Sequence, residues 1–189
     1  ILQQQNEIEV AVLEAGISRQ GEMEKLECMI QPNISIFTNI GEAHAEGFQS
    51  LEEKIVEKAK LFQRTEAVIM RKGHQEIGSV LKDQGIKYIS WEINDHEADI
   101  NIQKSHQSVS FLFNNQTYDL AIPFDSPFDE ENILHAIVCA ATLGLKNETI
   151  QIAIDKLKPV PMRLELKKGR NNTYILDDSY NNDLIGLEI

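Results

Sequence analysis

Ile34 to Thr38 (ISIFT), Ser50 to Phe62 (SLEEKIVEKAKLF) and Ala67 to Met70 (AVIM) decide the fold. A short apolar run, a longer amphipathic one and a second short apolar run read as strand, helix, strand. Ser50 and Glu53 form an S-x-x-E capping box at the start of the helix. Upstream, Glu7 to Ala15 (EIEVAVLEA) ends in a near-continuous apolar run and predicts a strand buried on both faces. Gly21 to Ile30 carries Met23, Leu26, Met29 and Ile30 at helical spacing and stops before Pro32. Downstream, Gln75 to Asp83 predicts a helix and Lys87 to Ser90 a strand. This alternation predicts an α/β fold with a mostly parallel sheet flanked by helices.

The second half changes character. Asp99 to Gln103, Ser108 to Phe113 and Thr117 to Ile122 alternate apolar and polar residues, with Asn114-Asn115 as a turn, and predict an antiparallel β meander. Glu131 to Leu143 reads as a buried helix closed by Gly144, and Thr149 to Leu157 as an amphipathic one. Lys158-Pro159-Val160-Pro161 is a stiff connector and the expected domain boundary, giving one domain over 1–160 and the truncated start of another over 161–189. Strands are expected there at Arg163 to Lys167 and Thr173 to Asp177.

Composition narrows the function. The 189 residues are 42% hydrophobic and 25% charged, as in an ordinary globular chain. Thirty acidic against eighteen basic residues give a net charge of −12, which argues against a general nucleic-acid binder. An anionic ligand would need local groups to overcome the repulsive average field, and metal cations would do that well. No run of about 18 apolar residues predicts membrane insertion, and no signal peptide is visible. A cytoplasmic setting is expected, with Cys28 and Cys139 as small buried apolar residues rather than a disulfide. The chain opens at Ile1 in mid-pattern and reads as a piece of something longer.

Three residues stand where α/β folds place chemistry, outside the carboxyl ends of strands or on a core-facing helix stripe. Glu14 closes the first predicted strand and His44 lies in the loop after the second. Together, a carboxylate and an imidazole could share a divalent cation; singly, Glu14 could cap a helix and His44 could bond a loop. Lys58 is the sharper signal. At about 100° per residue, Leu51, Ile55 and Phe62 point one way, and Lys58 falls in the middle of their stripe. Burial disfavours a charged amine. Either Lys58 snorkels to water, or it is a desolvated amine able to take up carbon dioxide and become a carbamate, a metal ligand resembling a carboxylate.

Glu14-Ala15-Gly16-Ile17-Ser18, Gly21-Glu22-Met23, Thr38-Asn39-Ile40-Gly41-Glu42-Ala43-His44 and Lys58 with Leu61-Phe62 form an ordered set. It continues through Glu131-Asn132, Met162-Arg163-Leu164-Glu165 and Asp177-Asp178-Ser179-Tyr180-Asn181. This set resembles the central domain of the Mur ligases, over nearly the whole chain. It is nearest to the branch that joins D-alanyl-D-alanine to UDP-N-acetylmuramoyl-tripeptide, especially the form fused to an alanine racemase. The resemblance implies a P-loop-type central domain followed by the start of a Rossmann-like C-terminal domain. It implies ATP and Mg2+ as cofactors, with Glu14, His44 and a carbamylated Lys58 as metal ligands and catalytic groups. It further implies that Asn132 contacts adenine, Arg163 the nucleotide phosphates and Asp178 the ribose. Ordinary roles remain open for these three: a helix cap, an ion pair with Glu165, and a turn.

The chain also departs from the family pattern. No G-x-x-x-x-G-K-[ST] phosphate loop occurs in it, and Asn182-Asp183 replaces the usual Asn-Pro. The 189-residue piece alone is therefore expected to be inactive. Two other readings remain: another Mur or folylpolyglutamate-type ligase, and a non-catalytic α/β interaction domain.

Overall fold

The structure is a computed structural model that describes residues 9–40, 47–123, 127–158, 160–162, 165–177 and 179, with only the backbone of 127–129. In chain order the elements are α1 (Glu22–Ile30), β1 (Ile34–Phe37), α2 (Leu51–Ala59) running into a short 3-10 turn, β2 (Ala67–Arg71) and α3 (Gln75–Asp83). Then come β3 (Tyr88–Ile93), β4 (Ile100–Ser105), β5 (Ser108–Phe113), β6 (Gln116–Ala121), α4 (Pro127–Thr142), α5 (Asn147–Ile154), β7 (Glu165–Lys168) and β8 (Tyr174–Asp177). Hydrogen bonding orders six strands β1-β2-β3-β4-β5-β6, while β7 and β8 form a separate antiparallel pair. The β1–β2 and β3–β4 pairs are parallel, and β4–β5 and β5–β6 antiparallel. The predicted meander is thus present, and it continues the parallel sheet rather than standing apart.

The chain divides into two compact units, residues 1–70 with 74–89, and residues 71–73 with 90–189. In the first, α2 and the turn after it bury Ile55, Ala59 and Phe62 against Phe37 of β1 and Val68 and Met70 of β2. The Phe37 and Phe62 rings meet at 5.5 Å. Each side chain of this size contributes about 1.5–3 kcal/mol when fully buried. Ser50 caps α2 by accepting from the Glu53 N–H at 3.1 Å. The other half of the capping box differs from the expectation: the Glu53 carboxylate accepts from the Gln49 N–H at 2.5 Å, one residue before the cap.

In the second unit, Trp91, Ile100, Ile102, Phe111, Tyr118 and Leu120 are buried. Phe111 and Tyr118 are direct cross-strand partners with rings stacked at 4.8 Å. Asn114 (φ 50°) and Asn115 (φ 61°) make the predicted turn; both adopt the left-handed conformation that Asn tolerates best among residues with a Cβ. α5 closes the outer edge of β6. Asn147 accepts from the Asp119 N–H at 2.8 Å, and the Gln151 amide accepts from Ala121 N–H at 2.8 Å and donates to its carbonyl at 3.3 Å.

Two expectations fail. Residues 9–15 of the predicted first strand are irregular, and 9–14 are exposed, with Val10, Val12 and Leu13 at 59, 93 and 55%. Among the described residues no strand pairs with this run, and an unpaired strand leaves its backbone donors and acceptors without partners other than water. Glu7 and Ile8 lie outside the described residues. Cys28 is exposed and Cys139 half-buried, because Cys28 falls on the outer face of α1, where Met29 is also 80% exposed.

Candidate functional site

Lys58 belongs to the last turn of α2. The stripe that predicts its direction is largely borne out: Ile55 is fully buried and Phe62 3% exposed, while Leu51 stays at 36%. Lys58 is half-buried between them, and its Nζ stands 5.2 Å from the centre of the Phe37 ring. Burial pushes the amine below its ordinary value; the Lys54 charge adds to that, and the Glu14 charge opposes it. Glu14 itself is exposed on the irregular run that precedes α1.

Sequence reasoning overlooked Lys54, which is 6% exposed. The signal was available, since Lys54 precedes Lys58 by four residues and four residues span about one helical turn. Burial pushes the Lys54 amine down as well. Lys54 and Lys58 thus occupy adjacent turns of one helix.

Carboxylates hold the segment that follows Glu14. Glu22 accepts from the Ser18 and Arg19 N–H groups at 2.7 and 2.9 Å. These two amide bonds hold its carboxyl below the usual range. Glu57, 3% exposed, accepts from the Gly21 N–H at 2.6 Å and from Lys60 Nζ at 2.6 Å. Glu53 also accepts from the Gln20 side-chain amide. Gly21 has φ 79°, a conformation that costs most residues about 1–2 kcal/mol. Through Glu53 and Glu57, the helix carrying Lys58 grips the loop that leads away from Glu14.

Of the remaining candidates, Asn132 is described, in the second unit. It is exposed and lies inside α4, five residues after Pro127, so it does not cap the helix. His44, Arg163 and Asp178 lie outside the described residues. Glu165, the alternative partner of Arg163, accepts from the Met162 N–H at 3.0 Å and pairs with Lys167 at 3.2 Å. Among the described residues no three His, Cys, Asp or Glu side chains converge as a metal cluster. A carbamate on Lys58 would place an oxygen donor beside the field of Glu14, the donor chemistry that magnesium prefers.

Comparison with known proteins gives the family and the fold. A family model described as the Mur ligase middle domain matches residues 1–140. UDP-N-acetylmuramoyl-tripeptide–D-alanyl-D-alanine ligase of Bacillus subtilis is 27% identical over 176 residues, covering 92% of this chain and 38% of that protein. The chain thus spans about two fifths of the length of the curated relatives it matches. Its fold matches MurF of Acinetobacter baumannii with a TM-score of 0.70 at 21% identity, over 92% of this chain and 39% of that one. It also matches MurF ligase of Thermotoga maritima, solved in complex with ADP, with a TM-score of 0.66 at 19% identity, over 90% and 41%.

Proposed function

Because the chain belongs to the Mur ligase family, we propose that it is the central part of an ATP-dependent ligase of peptidoglycan precursor synthesis. The enzyme joins D-alanyl-D-alanine to UDP-N-acetylmuramoyl-tripeptide in the cytoplasm, and an alanine racemase fused to it would make D-alanine on the same chain. Residues 1–160 form the ATP-binding domain, and 161–189 open the domain that receives the amine. Among the described residues, no helix is long and apolar enough to cross a membrane.

The reaction has two steps. The tripeptide carboxylate attacks the γ-phosphorus of ATP, forming an acyl phosphate and releasing ADP. The free amine of D-alanyl-D-alanine then attacks the acyl carbon, and phosphate leaves with the electrons of the broken C–O bond. The main barrier to the first step is repulsion between two anions, so positioning and charge neutralisation dominate. Magnesium, when bound, supplies that neutralisation on the phosphate oxygens. Glu14, His44 and carbamylated Lys58 would hold it. Lys58 is fitted for carbamylation because its depressed proton affinity leaves a larger share of neutral amine to add to carbon dioxide, the proton going to solvent. Asn132 would meet the adenine, Arg163 the phosphates and Asp178 the ribose.

The observation that carries this reading is the half-buried Lys58 amine, 5.2 Å from the centre of the Phe37 ring, in a chain that matches the Mur ligase middle domain over residues 1–140. The full-length enzyme, given ATP, the UDP-tripeptide and D-alanyl-D-alanine, is expected to release one ADP and one phosphate per pentapeptide formed, measured by mass spectrometry. Ligation of a single amino acid in preference to the dipeptide would overturn the assignment.

A further inference from the structure

A connected set of polar side chains grips one face of α4 and has no part in the reaction as described. Arg71, the last residue of β2, directs Nε at both carboxylate oxygens of Glu92 on β3, at 3.0 and 3.2 Å, and one terminal nitrogen at Glu92 Oε1, at 3.0 Å. The other terminal nitrogen donates to Glu131 Oε2 on α4 at 2.8 Å. The same guanidinium lies 5.7 Å from the centre of the Trp91 ring. The Trp91 indole N–H donates to His135 Nδ1 at 3.1 Å, and the two rings meet edge to face at 4.9 Å. Trp91 and His135 are fully buried or nearly so. With Nδ1 accepting, the neutral imidazole carries its proton on Nε2. That atom stands 3.8 Å from Glu131 Oε1, and among the described residues it has no hydrogen-bond partner.

Glu131 and His135 are one turn apart on α4. One is held by Arg71 directly and the other through Trp91, on which Arg71 packs. Two grips one turn apart fix a helix in rotation about its axis as well as in height. Asn132 follows Glu131 by about 100° around that axis and is exposed. With a side-chain radius of about 5–6 Å, a 20° rotation of α4 would carry the Asn132 amide about 2 Å, enough to break a hydrogen bond.

We propose that Arg71 is a positioning residue for nucleotide recognition: by clamping Glu131 directly and His135 through Trp91, it sets the rotation of α4 that presents the Asn132 amide to the purine base. This rests on the assignment of Asn132 to the base. A lysine cannot replace Arg71, because a single ammonium lacks the planar fork that engages two carboxylates and stacks on an indole.

The test uses the full-length enzyme and compares Arg71→Lys, Trp91→Phe, Asn132→Ala and the double variant Arg71→Lys/Asn132→Ala. It measures kcat and KM with ATP and with GTP, alongside the melting temperature. Asn132→Ala is expected to narrow the ATP-over-GTP preference in kcat/KM about tenfold or more, since a lost base contact costs discrimination. Arg71→Lys is expected to raise KM for ATP about three- to tenfold and to narrow the same preference, with kcat within about twofold. Trp91→Phe keeps the ring but loses the N–H, and should shift KM the same way by less. In the double variant Arg71→Lys should add little. If Arg71→Lys leaves KM and base preference unchanged, or lowers only kcat and melting temperature, Arg71 is a structural brace and the proposal is overturned. Additive effects in the double variant would also overturn it. If Asn132→Ala itself leaves preference and KM intact, the base assignment fails, and the role of Arg71 falls with it.

Discussion

A single side chain, Lys58, links helix periodicity to reaction chemistry. Its direction was legible because Ile55 and Phe62 define a stripe that leaves little choice for the residue between them. In the full-length enzyme, Lys58→Ala is expected to lower kcat by two orders of magnitude or more, roughly the scale of losing one charge-stabilising group. Added bicarbonate should not restore it, because the variant has no amine to carbamylate. Near-normal turnover would remove Lys58 from the mechanism. A second expectation concerns pH. Burial depresses the folded-state proton affinity below the ordinary 10.5. The unfolded chain therefore binds more protons than the native one in the alkaline range, and stability rises with pH there. Relative to Lys58→Met, and without nucleotide or metal, the wild-type protein should gain stability as pH rises toward the ordinary lysine value of 10.5, read as a growing difference in urea midpoint. A difference that stays flat would place the amine in water. Lys54 was legible from the same spacing and was overlooked; Glu57 was not legible in this way. Glu57 acts on a backbone N–H 36 residues away, and no helical spacing announces such a partner.

Among the elements, prediction succeeded where local signals agreed with packing. Gln75–Asp83 formed as expected, and the Asn114-Asn115 turn set the register of β5 and β6. α4 began four residues earlier than Glu131, at Pro127, whose fixed φ suits the first helical position. The run over 9–15 failed because a strand depends on a neighbour as well as on its own side chains. The clamp on α4 was invisible for a related reason: Arg71 reaches Glu92 and Glu131 across 21 and 60 residues of sequence. One local device can be tested directly. Ser50→Ala removes the oxygen that satisfies the Glu53 N–H, and is expected to cost about 1 kcal/mol in denaturant unfolding. A loss below a few tenths would show that the Glu53–Gln49 contact alone secures the start of α2.

For the molecule as a whole, charge and missing motifs set limits. The net charge of −12 leaves phosphate recognition to cations and to particular side chains. No phosphate-loop motif occurs in the sequence. The isolated 189-residue chain is therefore expected neither to hydrolyse ATP nor to bind MgATP at micromolar concentration in calorimetry. Micromolar binding would show that a phosphate loop is not needed to anchor the triphosphate.

The amide side chains that α5 lays along β6 have a consequence beyond local stability. By occupying the N–H groups of Asp119 and Ala121 and the Ala121 carbonyl, Asn147 and Gln151 obstruct that border against annealing with another polypeptide. Lateral growth of the sheet into a fibril is thereby hindered at one flank by two amide side chains.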